Sequence, residues 1–272
     1  MEFAKALDRL KKRQEELQIT AKKSLGQNFL ISDSVIEKII KVAQEFKPQK
    51  VIEIGPGCGA LTDLLLNLFH DFQVIELDHA LAEFWRSQNV IVTEADALRI
   101  DWGLFPGSLL VSNLPYQISS SLVIERSLDV IPLQGMILMF QKEVAQRIRA
   151  TAQSEHYGML SVMAQEFWHI ETVCEAGPVD FRPSPKVASR VLKFIPQVSK
   201  VTDRKEYLYF LKIAFQQRRR ILKTNLNALG PRFSLEKLEE WLNTNKKSDK
   251  VRAEELSPKE FLSLYLFLKK DK

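Results

Sequence analysis

Asn113-Leu114-Pro115-Tyr116 is the stretch of this 272-residue chain with the most chemical content. An apolar run at 108–111 leads into it and reads as a buried strand; a helical pattern starts at Ile118. The order puts an amide and a phenol ring at the carboxyl end of a strand, where open α/β sheets hold their ligands. Pro115 lacks an N–H and has a fixed φ, and it keeps Leu114 extended, so the turn is stiff. One amide and one ring on a stiff turn suit a flat, hydrogen-bonding group such as a nucleobase. The amide oxygen accepts from an exocyclic amino group, and the ring stacks on the base face. The same four residues also fit a plain strand-to-helix turn with a packed Tyr, so the rest of the chain has to decide.

A second constellation lies upstream. Residues 50–54 form a strand pattern that runs into Gly55-Pro56-Gly57-Cys58-Gly59-Ala60 and then a helix start, the form of a nucleotide-binding loop. Gly55, Gly57 and Ala60 also satisfy the dinucleotide pattern, so the loop alone does not separate NAD from S-adenosylmethionine. The next strand, 72–77, carries Glu76 about 20 residues after the glycines, where a carboxylate grips a ribose diol. Asp78 suits the cap of the following helix. Asp96 stands past a third strand at 90–92. It is placed either to accept from an adenine amino group or to cap a short helix.

These residues need a scaffold, and the pattern supplies one. Strands at 50–54, 72–77, 90–92, 108–111 and 135–140 alternate with helical segments, which predicts an α/β fold with a doubly wound, mostly parallel sheet. A sixth strand at 170–174 and an antiparallel one at 187–194, closing the sheet, make seven. Between them the loop 177–186 is stiffened by prolines. Its Phe181 has no periodicity to explain it and is either a core plug or a second stacking face. Residues 196–201 are the linker to a small all-helical C-terminal domain, in which a helix beginning at Phe215 carries Arg218, Arg219, Arg220 and Lys223. At the other end, 7–17 is a short surface helix or a frayed tail. The loop 21–30 holds Lys22, Lys23, Gln27 and Asn28, and is either structural or a lid over a ligand.

Charge is uneven. Residues 1–25 hold seven Lys/Arg against four Asp/Glu, 26–200 fifteen against twenty, and 201–272 seventeen against ten. Two basic ends around an acidic middle suit a polyanion, so the Arg218–Lys223 cluster is read as a phosphate grip. Cys58 and Cys174 are far apart, outside any CxxC pair, and His is scarce, so free thiols and no metal site are expected. No apolar run is long enough to span a bilayer, and no secretory signal pattern is present, so the expected location is cytoplasmic and the expected state a monomer.

Taken in order, Gly26-Gln27-Asn28-Phe29-Leu30, Glu53-Ile54-Gly55-Pro56-Gly57, Ile75-Glu76-Leu77-Asp78, Asp96-Ala97, Asn113-Leu114-Pro115-Tyr116, Gln141-Lys142-Glu143-Val144-Ala145 and Phe181-Arg182-Pro183-Ser184-Pro185-Lys186-Val187 resemble the rRNA adenine N6-dimethyltransferases of the KsgA type. The Erm-type enzymes of large-subunit RNA share the first four motifs. Tyr157-Gly158-Met159-Leu160-Ser161 and Ala214-Phe215-Gln216-Gln217-Arg218-Arg219-Arg220 resemble KsgA instead. Leu25 departs from the aromatic that many relatives carry. The resemblance implies a Rossmann-like class I methyltransferase at 31–198, preceded by a basic segment and lid at 1–30 and followed by a helical rRNA-binding domain at 199–272. It implies S-adenosylmethionine as cofactor, held by Asn28, Leu30, Gly55, Gly57, Glu76, Asp96 and Asn113. Asn113, Leu114, Pro115, Tyr116 and Phe181 would surround the target adenine. Lys22, Lys23, Arg147, Arg218, Arg219, Arg220 and Lys223 would meet RNA phosphates. The implied substrate is a pair of adjacent adenosines in a hairpin loop near the 3′ end of small-subunit rRNA, presented in the immature ribosomal subunit. Two other classes fit parts of the pattern: a nicotinamide oxidoreductase, and a non-enzymatic checkpoint that binds the immature subunit.

Overall fold

A computed structural model of the chain describes residues 4–17 and 28–270. In chain order the elements are α1 Ala6–Leu17, β1 Phe29–Leu30, α2 Asp33–Glu45, β2 Lys50–Ile54, α3 Thr62–Leu68, β3 Asp71–Glu76, α4 His79–Ser87, β4 Ile91–Glu94, β5 Leu109–Asn113, α5 Ser119–Leu128, β6 Gly135–Gln141, α6 Lys142–Arg149, α7 Met159–Phe167, β7 Trp168–Ala176, β8 Phe181–Arg182, β9 Ser189–Pro196, α8 Arg204–Ala214, α9 Leu222–Leu226, α10 Leu238–Thr244 and α11 Pro258–Leu268. They form two compact units. One holds the chain up to Ala145 together with Ile170–Pro196, and the other holds Gln146–His169 with the chain from Gln197 onward.

The first unit is built on the seven-stranded sheet, in the order β4-β3-β2-β5-β6-β9-β7. The pairings from β4 through β6 are parallel, and β9 runs antiparallel to β6, with Met136 opposite Phe194 and Gln141 opposite Ser189. The antiparallel direction matches the sequence expectation, but the position differs: β9 lies between β6 and β7 rather than closing the sheet. β9 buries Val191, Leu192 and Phe194, whereas β7 is exposed at His169, Glu171, Thr172 and Glu175 and suits the edge. β6 is buried along Gly135–Phe140, and Val51, Ile52, Val74, Leu109 and Val111 are likewise inaccessible. α2 lays Val35, Ile36, Ile39, Ile40 and Ala43 on this core at helical spacing.

A two-stranded ribbon of β1 and β8 flanks the sheet, with Leu30 opposite Phe181. Phe181 is fully buried in the main core cluster with Leu30 and Val191. This corrects the expectation of a second stacking face. The ring had no period because its strand is two residues long, and it is the core plug.

The second unit is helical. α7 belongs to it, packing on α8 and α11, so it extends beyond the 199–272 expected from sequence. Its centre is aromatic: Tyr207 and Phe210 lie 5.0 and 5.6 Å from Tyr265, ring centre to ring centre. α8 ends at Ala214, and Phe215–Arg220 is a turn, not the start of the expected helix. The buried Asn225 side chain explains the stop. Its Nδ2 donates to the Ala214 and Gln217 carbonyls at 2.8 and 3.0 Å, satisfying groups that a longer helix would use.

Phe181→Ala is expected to lower unfolding free energy by about 3–5 kcal/mol, and Phe181→Leu by much less. Denaturant titration checks this; an Ala variant as stable as the parent would put the ring outside the core.

Candidate active site

The strand order reverses between β2 and β5, and ligands of open sheets bind at such switch points, beyond the strands' carboxyl ends. A cavity of about 280 Å³ lies there. Its walls include Gly55 and Gly57 after β2, Glu76 at the end of β3, Asp96 after β4, and Asn113 to Tyr116 at the end of β5. Asn28 and Leu30 complete it from β1 and the residue before it.

Gly55 and Gly57 have φ of +65° and +51°, a conformation costly for other residues. A Cβ on Gly57 would also sit 3.1 Å from the Phe29 ring. The loop therefore stays close to the sheet and presents backbone to the cavity. Glu76 is held by its own turn, with Oε1 accepting from the Leu77 and Asp78 N–H groups, both at 2.8 Å. Burial pushes its carboxyl up, opposed by N–H groups of Asp78, Leu77 and Gly57. Asp78 accepts from the Ala80 and Leu81 N–H groups as the cap of α4, as expected. Asp96 faces the cavity and also closes a local turn, with Oδ1 accepting from Leu98 N–H at 2.9 Å. No helix follows for Asp96 to cap; the bond closes a turn instead.

Ser112 Oγ donates to the Ile54 carbonyl at 2.6 Å and ties the end of β5 to the glycine loop. Asn113 follows, and its Nδ2 donates to the Asn28 carbonyl at 3.1 Å. That bond fixes the orientation of the amide at the cavity wall. Leu114 is buried, and Pro115 has φ −55° and ψ 127°, within the fixed φ range expected of proline. The Tyr116 hydroxyl lies 2.9 Å from Ser189 Oγ on β9, which fixes the ring, and burial raises its phenol pKa.

Two of the wall residues that the sequence does not single out bear on the site most directly. Glu53 fits the strand pattern of 50–54, but a carboxylate in the strand that leads into a glycine loop is itself a signal. It is fully buried, and Oε2 has no hydrogen-bond partner among the described residues. Burial pushes its carboxyl up to about 8, with the Thr62 hydroxyl acting in the opposite direction. Leu10 of α1 is the other. Cys58 also lines the cavity, and burial pushes its thiol up to about 11, so it is neutral.

Of the expected phosphate contacts, Lys22 and Lys23 lie outside the described residues. Arg147 is exposed on α6. Arg218 pairs with Glu254 at 2.6 Å and Lys223 with Glu239 at 2.6 Å, all on exposed or half-exposed side chains. Arg219 and Arg220 are exposed, and no ion pair engages them among the described residues. Within this unit Ile221 bridges Arg252 antiparallel, which brings the arginine turn beside a polar hollow lined by Lys246 and Lys250.

The sequence model of the family described as "Ribosomal RNA adenine dimethylase" matches residues 18–270. The chain belongs to that family. Its members use S-adenosylmethionine, so this chain is an S-adenosylmethionine-dependent methyltransferase. It is similar to the ribosomal RNA small subunit methyltransferase A of Bdellovibrio bacteriovorus, 55% identical over 263 residues that cover 95% of this chain and 96% of that one. The protein of the same name from Mycoplasmopsis pulmonis is 34% identical over 254 residues, 92% and 99% of the two chains. Among solved structures, a dimethyladenosine transferase from Plasmodium falciparum superposes with a TM-score of 0.74 at 27% identity, covering 87% of this chain and 96% of that one. The 23S rRNA methyltransferase ErmE shares the fold, with a TM-score of 0.66 at 23% identity, covering 89% and 99%. The cavity suits the cofactor: three carboxyl groups, Glu53 among them with an orphaned oxygen, face a molecule rich in hydroxyl, amino and ammonium donors.

Glu53 yields a pH prediction. It keeps its proton to about pH 8 when folded and ionises near 4.5 when unfolded. The folded state binds the extra proton between those values, so this contribution to stability is lost as pH rises through that window. Thermal midpoints of parent and Glu53→Gln should converge near pH 4.5 and separate in the variant's favour toward pH 8. Parallel profiles would mean that Glu53 ionises in the fold.

Proposed function

We propose that this enzyme dimethylates N6 of two adjacent adenosines in a hairpin loop near the 3′ end of small-subunit rRNA, acting as a cytoplasmic monomer on the immature ribosomal subunit. The similarity to small subunit methyltransferase A at 55% identity supports the choice of subunit over the Erm-type alternative. The chemistry rests on one observation: Asn113 commits its Nδ2 to the Asn28 carbonyl, leaving Oδ1 for the substrate.

The cofactor supplies an electrophilic methyl group on a sulfonium. Glu76 would accept from the ribose hydroxyls and Asp96 from the adenine amino group, while Gly55, Gly57, Asn28 and Leu30 would shape the remaining walls. The target N6 is a poor nucleophile because its lone pair is delocalised into the ring. Asn113 Oδ1 and the Leu114 carbonyl accept from the N6 hydrogens, which favours a pyramidal nitrogen and stabilises positive charge as it develops. Pro115 holds the two acceptors in register, and Tyr116 stacks on the base, its ring steadied by Ser189. The N6–methyl bond would form as the sulfur–methyl bond breaks, and the cationic nitrogen would then lose its proton to water, so no strong base is required; orientation and charge stabilisation carry the rate. The base has to be unstacked to enter. With Phe181 in the core, no aromatic partner on the second face enters this scheme.

In the helical unit Arg219 and Arg220 meet phosphates directly. Arg218 and Lys223 exchange exposed carboxylate partners for phosphate, a small cost for pairs in water. Arg147, Lys22 and Lys23 add to the same charge.

The deciding experiment offers labelled S-adenosylmethionine to under-methylated small subunits, large subunits and naked rRNA, with Asn113→Ala beside the parent. Dimethyladenosine on small subunits alone is expected, with the variant slowed about 10²–10³-fold. Label on large subunits would favour the Erm-type reading, and tight small-subunit binding without label the checkpoint. Replacing Arg219 and Arg220 by Gln is expected to weaken RNA binding and reduce its log–log salt slope by about 1.4, if each meets one phosphate of single-stranded RNA. An unchanged slope would remove them from the interface.

A further inference from the structure

α1 precedes the segment matched by the family, residues 18–270, yet it forms part of the cavity wall through Ala6 and Leu10. Both are buried, and Leu10 packs with Phe29 and Cys58 against the glycine loop. Three attachments hold the helix in place. The Ala6 N–H donates to Asp33 Oδ1 at 2.9 Å. Arg9 pairs with Asp63 at 3.1 Å and donates to the Ala60 carbonyl at 3.1 Å. Arg13 forms a two-pronged pair with Asp63, at 2.5 and 3.0 Å, and donates to the Cys58 carbonyl at 2.6 Å.

The seat of Arg13 is built for it. Its guanidinium lies 4.8 Å from the Trp85 ring centre and 5.5 Å from that of Phe84. Trp85 is itself fixed by donating from Nε1 to the Gly57 carbonyl at 3.0 Å. A Cβ on Gly59 would fall 1.9 Å from Arg13 Nη1, so the third glycine of the loop makes room for an arginine. Asp63, Arg9 and Arg13 are each 13–17% exposed, where an ion pair is sheltered from solvent. The cationic seat and the cofactor cavity thus share one loop: the carbonyls of Cys58 and Ala60 face α1, while the same residues line the cavity.

We infer that α1 is a clamped wall of the cofactor site, and that the Arg9 and Arg13 pairs with Asp63 set how tightly the cofactor and its demethylated product are held. This rests on the cofactor occupying the cavity. Arg9, Arg13 and Asp63 are positioning residues, acting through the glycine loop and Leu10. Each turnover must release the product, so the strength of the clamp bears on the exit rate as well as on affinity.

The test is calorimetric binding of S-adenosylhomocysteine to the full chain, to the chain lacking residues 1–17, and to Arg13→Gln, Arg13→Lys and Leu10→Ala. Dissociation constants are expected to rise about tenfold or more on truncation and about three- to tenfold for Arg13→Gln. Arg13→Lys should recover part of the loss. In methyl transfer by Arg13→Gln, KM for the cofactor should rise while KM for RNA stays level, and stopped-flow release of the product should quicken. Lys11→Gln, on the exposed face of α1, is the unchanged control. Truncated and Arg13→Gln chains that bind within twofold of the parent would overturn the inference, and Arg13→Gln decides alone if the truncated chain fails to fold. Failure of the full chain itself to bind the product would instead overturn the assignment of the cavity.

Discussion

A parallel sheet whose strand order reverses leaves a gap between the two strands at the reversal, and the groups that line the cavity are placed around that gap. β2 and β5 lie side by side, but the connections leaving them turn opposite ways. The glycine loop leaves one strand end and the Asn113 turn leaves the other. Ser112, donating to the Ile54 carbonyl, fastens the two ends together. With the gap set, the neighbouring strands bring Glu76 and Asp96 to the same rim, because parallel strands finish on the same side.

The parts of this arrangement that were legible in sequence are those fixed by local rules. The parallel strands are continuous apolar runs, and glycine and proline mark where they stop. Asp78 caps α4 through bonds to residues two and three positions on. Gly55, Gly57, Glu76, Asp96 and Asn113 each lie at or just past the carboxyl end of a strand, which the sequence pattern alone places on one rim.

What escaped was set by distant partners. The end of α8 depends on Asn225, eleven residues beyond Ala214, so the arginine run looked helical from its own composition. Phe181 gains its burial from Leu30 across a two-residue ribbon. Only Ala6 and Leu10 of α1 are buried, too few for a clear apolar stripe, and the helix is held instead by arginines reaching Asp63 some 50 positions away. Glu53 was hidden for another reason: a strand buried on both faces offers no pattern in which a carboxyl stands out.

The bond between Tyr116 and Ser189 gives the base pocket a dimension. Asn113 ends β5, Ser189 begins β9, and β6 runs between them, pairing Met139 with Asn113 and Gln141 with Ser189. The backbones of Ser189 and Asn113 therefore stand two inter-strand spacings apart across the sheet, roughly 9.6 Å at the usual 4.8 Å each, and two residues apart along it, roughly 6.7 Å, or about 12 Å in all. The slot proposed to take the adenine is in this sense ruled by the pitch of the sheet, not by the suppleness of a loop. An amine that returns carrying its first methyl group meets the same fixed calliper as the unmodified base.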